Sequence, residues 1–117
     1  MHHANNDLER CIDMCQECHE VCLQMVNHCL QRGGRHAEAG HIRLLLDCAE
    51  ICETSANFMI RGSDLHMETC RACAQVCERC SGSCERLSDD ERMLFCAEVC
   101  RRCAASCNEM AGAMANR

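Results

Sequence analysis

The sequence contains no tryptophan, no tyrosine and no proline, and Phe58 and Phe95 are its only large aromatic side chains. Without aromatic rings the chain offers no platform on which nucleic-acid bases can stack, and its net charge of -6 at pH 7 argues against a basic binding surface. We therefore expect neither nucleic acid nor a membrane surface as a partner. The absence of proline leaves long segments that can continue as uninterrupted helices.

Long hydrophobic runs are also absent from the sequence. No apolar stretch approaches the roughly 20 residues that a membrane-spanning helix needs. The first ten residues, MHHANNDLER, lack the charged start and the apolar run of a secretory signal. We therefore expect a cytoplasmic protein. Its length of 117 residues is typical of one domain, which we assign to residues 1–117.

Cysteine, by contrast, is abundant, with 16 residues in the chain. The stretch CRACAQVCERCSGSC, residues 70–84, has five cysteines separated by three, four, three and four positions. This alternation places side chains on one face of an α-helix, as the a and d positions of a heptad do. The same alternation occurs in three other segments, so we predict four helices that each carry a cysteine face.

Glycines and capping residues set the predicted helix boundaries. Gly33, Gly34 and Gly62 supply breaks, and Asn6 with Glu9 and Ser88 with Glu91 have the spacing of reciprocal N-terminal caps. We predict helices over about 7–31, 37–61, 65–87 and 89–114. Because the connections are short, neighbouring helices should be antiparallel. The predicted fold is all-α, an antiparallel up-down-up-down four-helix bundle with a cysteine-lined core.

The number of inward thiols argues against two simpler interpretations. A bundle that needed only stability would use leucine and isoleucine, because cysteine in every layer leaves the centre underfilled. Disulfides within a helix are disfavoured, since neighbouring Cβ atoms lie about 5–6 Å apart and a disulfide needs about 3.5–4.5 Å. Disulfides between helices are possible, but they would be unusual in a reducing cytosol.

Metal binding is the remaining interpretation of the cysteine face, and the chemistry of thiol ligands favours soft metal ions. Clustered thiols suit Cu(I), zinc or iron–sulfur clusters. Four Zn²⁺ ions on 16 thiolates would leave eight negative charges in a low-dielectric core, whereas about one Cu(I) per thiolate leaves it neutral. Iron–sulfur clusters are usually wrapped by a loop rather than by one helical face. The composition therefore favours Cu(I); zinc or another soft metal is the alternative, and an iron–sulfur or thiol redox protein is less favoured.

The chain resembles the cytosolic branch of the copper storage proteins. The motifs that carry the resemblance are CIDMCQECHEVC, CAEIC, CRACAQVCERCSGSC and CAEVCRRCAASC, which together extend over four predicted helices. The resemblance implies non-catalytic storage of many Cu(I) ions in a homotetramer of four-helix bundles. The implied ligands are Cys11, Cys15, Cys18, Cys22, Cys29, Cys48, Cys52, Cys70, Cys73, Cys77, Cys80, Cys84, Cys96, Cys100, Cys103 and Cys107.

Histidines and methionines on the cysteine register are candidate ligands at the ends of the bundle. By resemblance in the position of His41, we expect the copper entrance at the end that holds His41, Met93 and Met25. His66 is the candidate at the opposite end. His19 and His28 lie off the register, and we expect both to be solvated surface residues. Ser55 occupies a register position on the second helix, which has only two cysteines.

The remaining expectations concern assembly and partners. The second helix is apolar beyond its cysteine face, at Leu44, Ile51 and Phe58 on one side and at Ile42, Ala49, Ala56 and Ile60 on the other. Such a surface indicates self-association. A copper chaperone or a low-molecular-weight thiol is the expected copper donor. The sequence shows no nucleophile paired with an activating base, so we expect no enzymatic activity.

Overall fold

The computed structural model describes the backbone of residues 2–115 and the side chains of residues 6–112. Its helices are α1 (His2–Arg32), α2 (Ala39–Ile60), α3 (His66–Glu85) and α4 (Glu91–Ala115), with a short 3₁₀ helix, Gly34–Ala37, between α1 and α2. No strand occurs in this described part of the chain. The all-α prediction is confirmed.

The four long helices form an elongated bundle of about 48 × 20 × 18 Å. Each packs against two neighbours, in the order α1, α2, α3, α4 and back to α1. Within residues 2–115 the diagonal pairs of helices, α1 with α3 and α2 with α4, have no close backbone contacts. The side chains of the four inward faces therefore occupy the space along the bundle axis. This is the predicted antiparallel up-down-up-down topology.

Both predicted capping pairs are wrong as helix starts. Helix α1 already begins at His2 and continues through Asn6. Helix α4 begins at Glu91, and its cap is Asp90, whose carboxylate Oδ1 accepts the backbone N–H of Arg92 at 2.9 Å. A carboxylate at this position accepts a hydrogen bond from a free N–H of the first turn, and its negative charge interacts favourably with the positive end of the helix dipole. Ser88 lies two residues before this cap.

The glycines end α1 and α2 as predicted, because they adopt left-handed backbone conformations. Gly62 has φ of 71°, and the N–H groups of Gly62 and Ser63 bond to the carbonyls of Met59 and Phe58 at 3.1 and 3.0 Å. This pattern is a Schellman C-cap, which favours glycine because a Cβ is strained at positive φ. It turns the chain sharply from α2 into α3.

The outer face of α2 differs in part from the prediction. Ala49 and Ala56 are each only 2% exposed, so they pack inside the bundle rather than on its surface. Leu46 and Ile60 are exposed, and Leu44 and Phe58 are half-buried. No helix in the described part of the chain is both long enough and apolar enough to span a membrane.

Candidate metal centre

All sixteen cysteines lie in the centre of the bundle. Each has 0% exposure, and each is a free thiol. The reason is the alternation of three and four residues, which stays close to the 3.6-residue period of the α-helix and keeps every thiol on the inward face. The predicted cysteine-lined core is confirmed.

Thiols from different helices approach one another closely along the axis. Cys15 on α1 lies 3.6 Å from Cys107 on α4, measured between Sγ atoms. Cys48 and Cys77 are 3.6 Å apart, and so are Cys52 and Cys73. These distances exceed the 2.05 Å of a disulfide bond but suit sulfurs that share a metal ion.

Groups of three or four thiols converge within 4.8 Å of one another. The groups in the described chain include Cys15/Cys73/Cys103/Cys107, Cys18/Cys22/Cys48/Cys100, Cys18/Cys48/Cys52/Cys77, Cys52/Cys73/Cys77/Cys103 and Cys11/Cys70/Cys107. Neighbouring groups have members in common; Cys18 and Cys48, for example, belong to two of them. The thiols therefore form a continuous array rather than separate tetrahedral sites.

Hydrogen bonds between thiols set their ionisation. Hydrogen bonding with Cys107 and Cys11 lowers the pKa of Cys70, whereas hydrogen bonding with Cys103 and Cys11 raises the pKa of Cys107. One thiolate is thus stabilised by protons held on its neighbours. Cys29 lies outside this network, and burial together with the charge of Asp90 raises its pKa to about 11.

The His41 end of the bundle combines three kinds of soft ligand. Cys29 Sγ lies 3.5 Å from His41 Nε2 and 3.7 Å from Met93 Sδ. Burial lowers the pKa of His41, so its imidazole is neutral near pH 7. His41 Nδ1 lies 2.8 Å from Ser83 Oγ, and donation from Nδ1 to this hydroxyl leaves the Nε2 lone pair toward Cys29.

Sequence reasoning missed Ser83, because it lies next to Cys84 and off the cysteine register. Met25 is buried at the same end, but the hydrogen-bonded sulfur pairs among residues 6–112 do not include it. A cleft of about 100 Å³ opens beside His41. Its lining residues are Arg35, Glu38, His41, Ser83, Arg86 and Leu87.

The opposite end has a different composition. Cys70 Sγ lies 3.8 Å from the thioether of Met59 and 3.4 Å from the hydroxyl of Ser55. The predicted ligand His66 is half-buried, and its Nδ1–H donates to the carbonyl of Ser63 at 2.9 Å. This hydrogen bond ties the imidazole to the turn before α3.

A polar cluster fixes the start of α4 near the His41 end. Asp90 Oδ2 accepts hydrogen bonds from His28 Nε2 at 2.7 Å, His36 Nε2 at 2.9 Å and Arg32 Nη1 at 3.2 Å. Burial opposes the charge of Asp90, but the hydrogen bonds from His28, His36 and the Arg92 N–H together lower its pKa. The cluster links α1, the 3₁₀ helix and α4.

The structure corrects the surface assignment of two histidines, His28 in this cluster and His19 on the other side of α1. The side chain of His28 is only 12% exposed, because it packs against Asp90 from a position 62 residues away in the sequence. His19 is half-buried, and its Nδ1–H donates to the carbonyl of Ala49 at 2.8 Å. Both side chains hold helices together, a role that their position off the cysteine register does not reveal.

Fold and site together define a class: helical bundles whose core is a continuous array of thiols suited to soft metal ions. The model of the copper storage protein family (Csp) matches residues 4–112, and the chain belongs to that family. The resemblance inferred from the cysteine motifs is confirmed.

Three solved structures illustrate the relationship. The Nmul_A1745 protein from Nitrosospira multiformis is 46% identical, with 92% of this chain and 97% of that chain covered and a TM-score of 0.87. The Cu(I)-bound copper storage protein BsCsp3 of Bacillus subtilis is 34% identical, covering 90% and 98% of the two chains, with a TM-score of 0.84. A cytosolic copper storage protein from Streptomyces lividans, loaded with five coppers, is 29% identical over 92% and 93%, with a TM-score of 0.80.

A curated relative is similar over a shorter region. The uncharacterized cysteine-rich protein YhjQ of Bacillus subtilis is 35% identical over 68 residues, which are 58% of this chain. The matched region spans 63% of that relative's length.

Proposed function

We propose that this protein stores Cu(I) as a cargo, bound by the sixteen core cysteines at about one ion per thiol. The observation that carries the proposal is the burial of all sixteen thiols in one core, where Sγ atoms on different helices approach to 3.6 Å and groups of three or four thiols overlap. The Cu(I)-bound state of BsCsp3 and the copper-loaded Streptomyces lividans protein support the same cargo. Sequestration in such a core keeps Cu(I) away from solvent and from other metal sites.

The arrangement of the thiols favours Cu(I) over zinc. A structural zinc ion is typically held by four ligands in a closed tetrahedral site, but Cys18, Cys48 and Cys52 each belong to more than one group of four. Cu(I) accepts two or three sulfur ligands, and one thiolate can bridge two ions. An array of overlapping groups can therefore be filled by Cu(I) without isolated tetrahedral sites.

The entrance is proposed at the His41 end, where His41, Met93 and Cys29 lie together beside an open cleft. A neutral imidazole and a thioether bind Cu(I) without first losing a proton, so they can pass the ion inward to the thiols. Met25 is a further candidate at this end. His66 is a candidate at the opposite end.

The cellular setting is proposed from the family and from the sequence. We place the protein in the cytoplasm, as the Streptomyces lividans relative is described as cytosolic. Its role is non-catalytic, and a copper chaperone or a low-molecular-weight thiol supplies the ion. The chain forms a homotetramer, supported by the apolar outer face of α2 with Leu46 and Ile60 exposed.

A competition titration tests the proposal. Reduced, metal-free protein is titrated anaerobically with Cu(I) in the presence of a chromogenic Cu(I) chelator, and a parallel sample receives zinc. We expect uptake of roughly one Cu(I) per cysteine before the chelator changes colour, because each thiol can contribute one thiolate charge. Saturation at two to four equivalents, or preferential binding of zinc, would reject storage of Cu(I).

A further inference from the structure

The end of the bundle remote from His41 contains a mixed group of sulfur ligands. Met59 lies 18 residues after His41 on α2, which places it about 27 Å along the helix. We propose that the Met59 thioether binds Cu(I) together with Cys70 at this end, where it takes the place of a thiolate that Ser55 does not supply. The inference rests on the proposed Cu(I) storage and adds a ligand of a different chemical type.

The gap at Ser55 is the first step of the argument. Helix α2 contributes Cys48 and Cys52 to the central thiol groups, and Ser55 is the next residue on that register. Ser55 is fully buried, and its hydroxyl lies 3.4 Å from Cys70 Sγ. A neutral hydroxyl is a poor ligand for Cu(I), which prefers sulfur. Cys70 therefore has no thiolate partner from α2 at this level.

Met59 supplies a sulfur one helical turn further on. It is 2% exposed, and its Sδ lies 3.8 Å from Cys70 Sγ. Cys70 also belongs to a three-thiol group with Cys11 and Cys107. The group and Met59 together bring one sulfur from each of the four helices to this end of the bundle.

The charge at this end also suits a thioether. Three thiolates around Cu(I) already carry more negative charge than the ion neutralises, so a neutral sulfur adds a ligand without adding charge. Packing alone would not require sulfur here, because the same register of α2 carries Leu45, which is fully buried. Among residues 6–112 the sulfur that contacts Cys70 Sγ from this end of α2 is that of Met59, whereas the hydrogen bond of the His66 ring goes to the Ser63 carbonyl.

Crystals of the Cu(I)-loaded full chain provide the direct test. An anomalous difference map at the copper absorption edge is expected to show a copper ion within bonding distance of both Met59 Sδ and Cys70 Sγ. A copper ion bound by Cys11, Cys70 and Cys107 with the Met59 thioether turned away would overturn the inference. The total copper count in the same crystals reports separately on storage.

A solution experiment tests the same site without crystals. Met59→Leu keeps the volume of the side chain but removes its sulfur, and we expect it to retain one Cu(I) fewer at a chelator concentration that leaves the unmodified chain full. Met14→Leu is the matched control, because Met14 is half-buried on α1 and off the cysteine register. Adding Ser55→Cys to Met59→Leu should restore the lost equivalent, since it supplies the missing thiolate.

The outcomes separate the inference from the proposed function. Uptake near one Cu(I) per cysteine with no difference between Met59→Leu and Met14→Leu would reject Met59 as a ligand and leave storage standing. Saturation of the unmodified chain at two to four equivalents would reject storage and the inference together. Restoration by Ser55→Cys would support the substitution of a thioether for a thiolate.

Discussion

The side chain of His41 shows how a neighbouring residue can determine what a ligand does. Its two ring nitrogens have different partners, Ser83 Oγ at 2.8 Å and Cys29 Sγ at 3.5 Å. A hydrogen bond to one nitrogen fixes the tautomer and the orientation of the ring, so the other nitrogen is presented to a metal. Ser83 is therefore a positioning residue for the proposed entrance.

We expect His41→Ala to slow the initial loading of Cu(I) by about tenfold, with little change in final capacity, because the thiols that store the ion remain. Ser83→Ala should give a smaller effect in the same direction. Stopped-flow loading from a Cu(I)–chelator complex measures the rate, and the end point of the same trace measures capacity. His66→Ala is the control at the opposite end; slow loading in His66→Ala alone would place the entrance there.

The helices depend on small residues as much as on cysteines. Ala74 on α3 is fully buried, and Ala97 and Ala104 on α4 are each at most 3% exposed. The backbones of α3 and α4 come close enough for Ser81 Oγ to donate to the Ala97 carbonyl at 3.0 Å. Small side chains at these positions let the helices approach, which brings the short cysteine side chains within reach of one another.

Overpacking this interface should destabilise the bundle. Ala74→Leu inserts three carbon atoms into a close helix contact, and we expect a loss of about 1–3 kcal/mol in the free energy of unfolding. Ala72→Leu is the matched control, because Ala72 is exposed on the same helix, and its effect should stay within about 0.5 kcal/mol. Urea denaturation of the reduced, metal-free variants measures both. Equal effects would show that the interface tolerates larger side chains.

The bundle as a whole keeps ionisable thiols in a medium of low polarity. Metal-free protein can fold because a protonated thiol carries no charge, and Cu(I) replaces the proton without adding net charge. Cys29 illustrates the balance, with a pKa raised to about 11 by burial and by the charge of Asp90. At pH 7 this thiol is protonated, and binding a metal ion must displace its proton.

Loading should therefore release protons and weaken as the pH falls. Below the pKa of Cys29, each unit decrease in pH lowers the apparent affinity by about tenfold for each proton that binding displaces. A pH indicator in weakly buffered solution measures the release, and chelator competition at pH 6.5 and 7.5 measures the affinity. Cys29→Ser should release about one proton fewer. Affinity that does not change with pH would contradict binding through protonated thiols.

The fold and the thiol array could be predicted because they depend on local spacing. An alternation of three and four residues places side chains on one face of a helix. The cysteines of each helix therefore share a face, and in a bundle that face is turned inward. The copper storage resemblance also rested on these positions. The sequence indicates that Ser55 interrupts the cysteine register of α2. It does not indicate that Cys70 lies beside Ser55, or that the Met59 thioether contacts Cys70.

The rest of the site could not be predicted because it is formed by contacts between distant residues. The sequence assigns the cap of the last helix to Ser88 and places His28 on the surface, yet Asp90 caps α4 and its Oδ2 lies 2.7 Å from His28 Nε2. Ser83 gave no sequence signal, because its partner His41 is 42 positions away.

The amino-acid sequence by itself determined four helices, their inward faces and the soft character of the core, because each follows from the period of one helix and the chemistry of one side chain. Only the tertiary structure decided which thiols share a group, which hydrogen bonds orient His41 and which sulfur stands beside Cys70. These depend on the axial offset and rotation of one helix against another, which are set by packing between elements rather than by spacing within one.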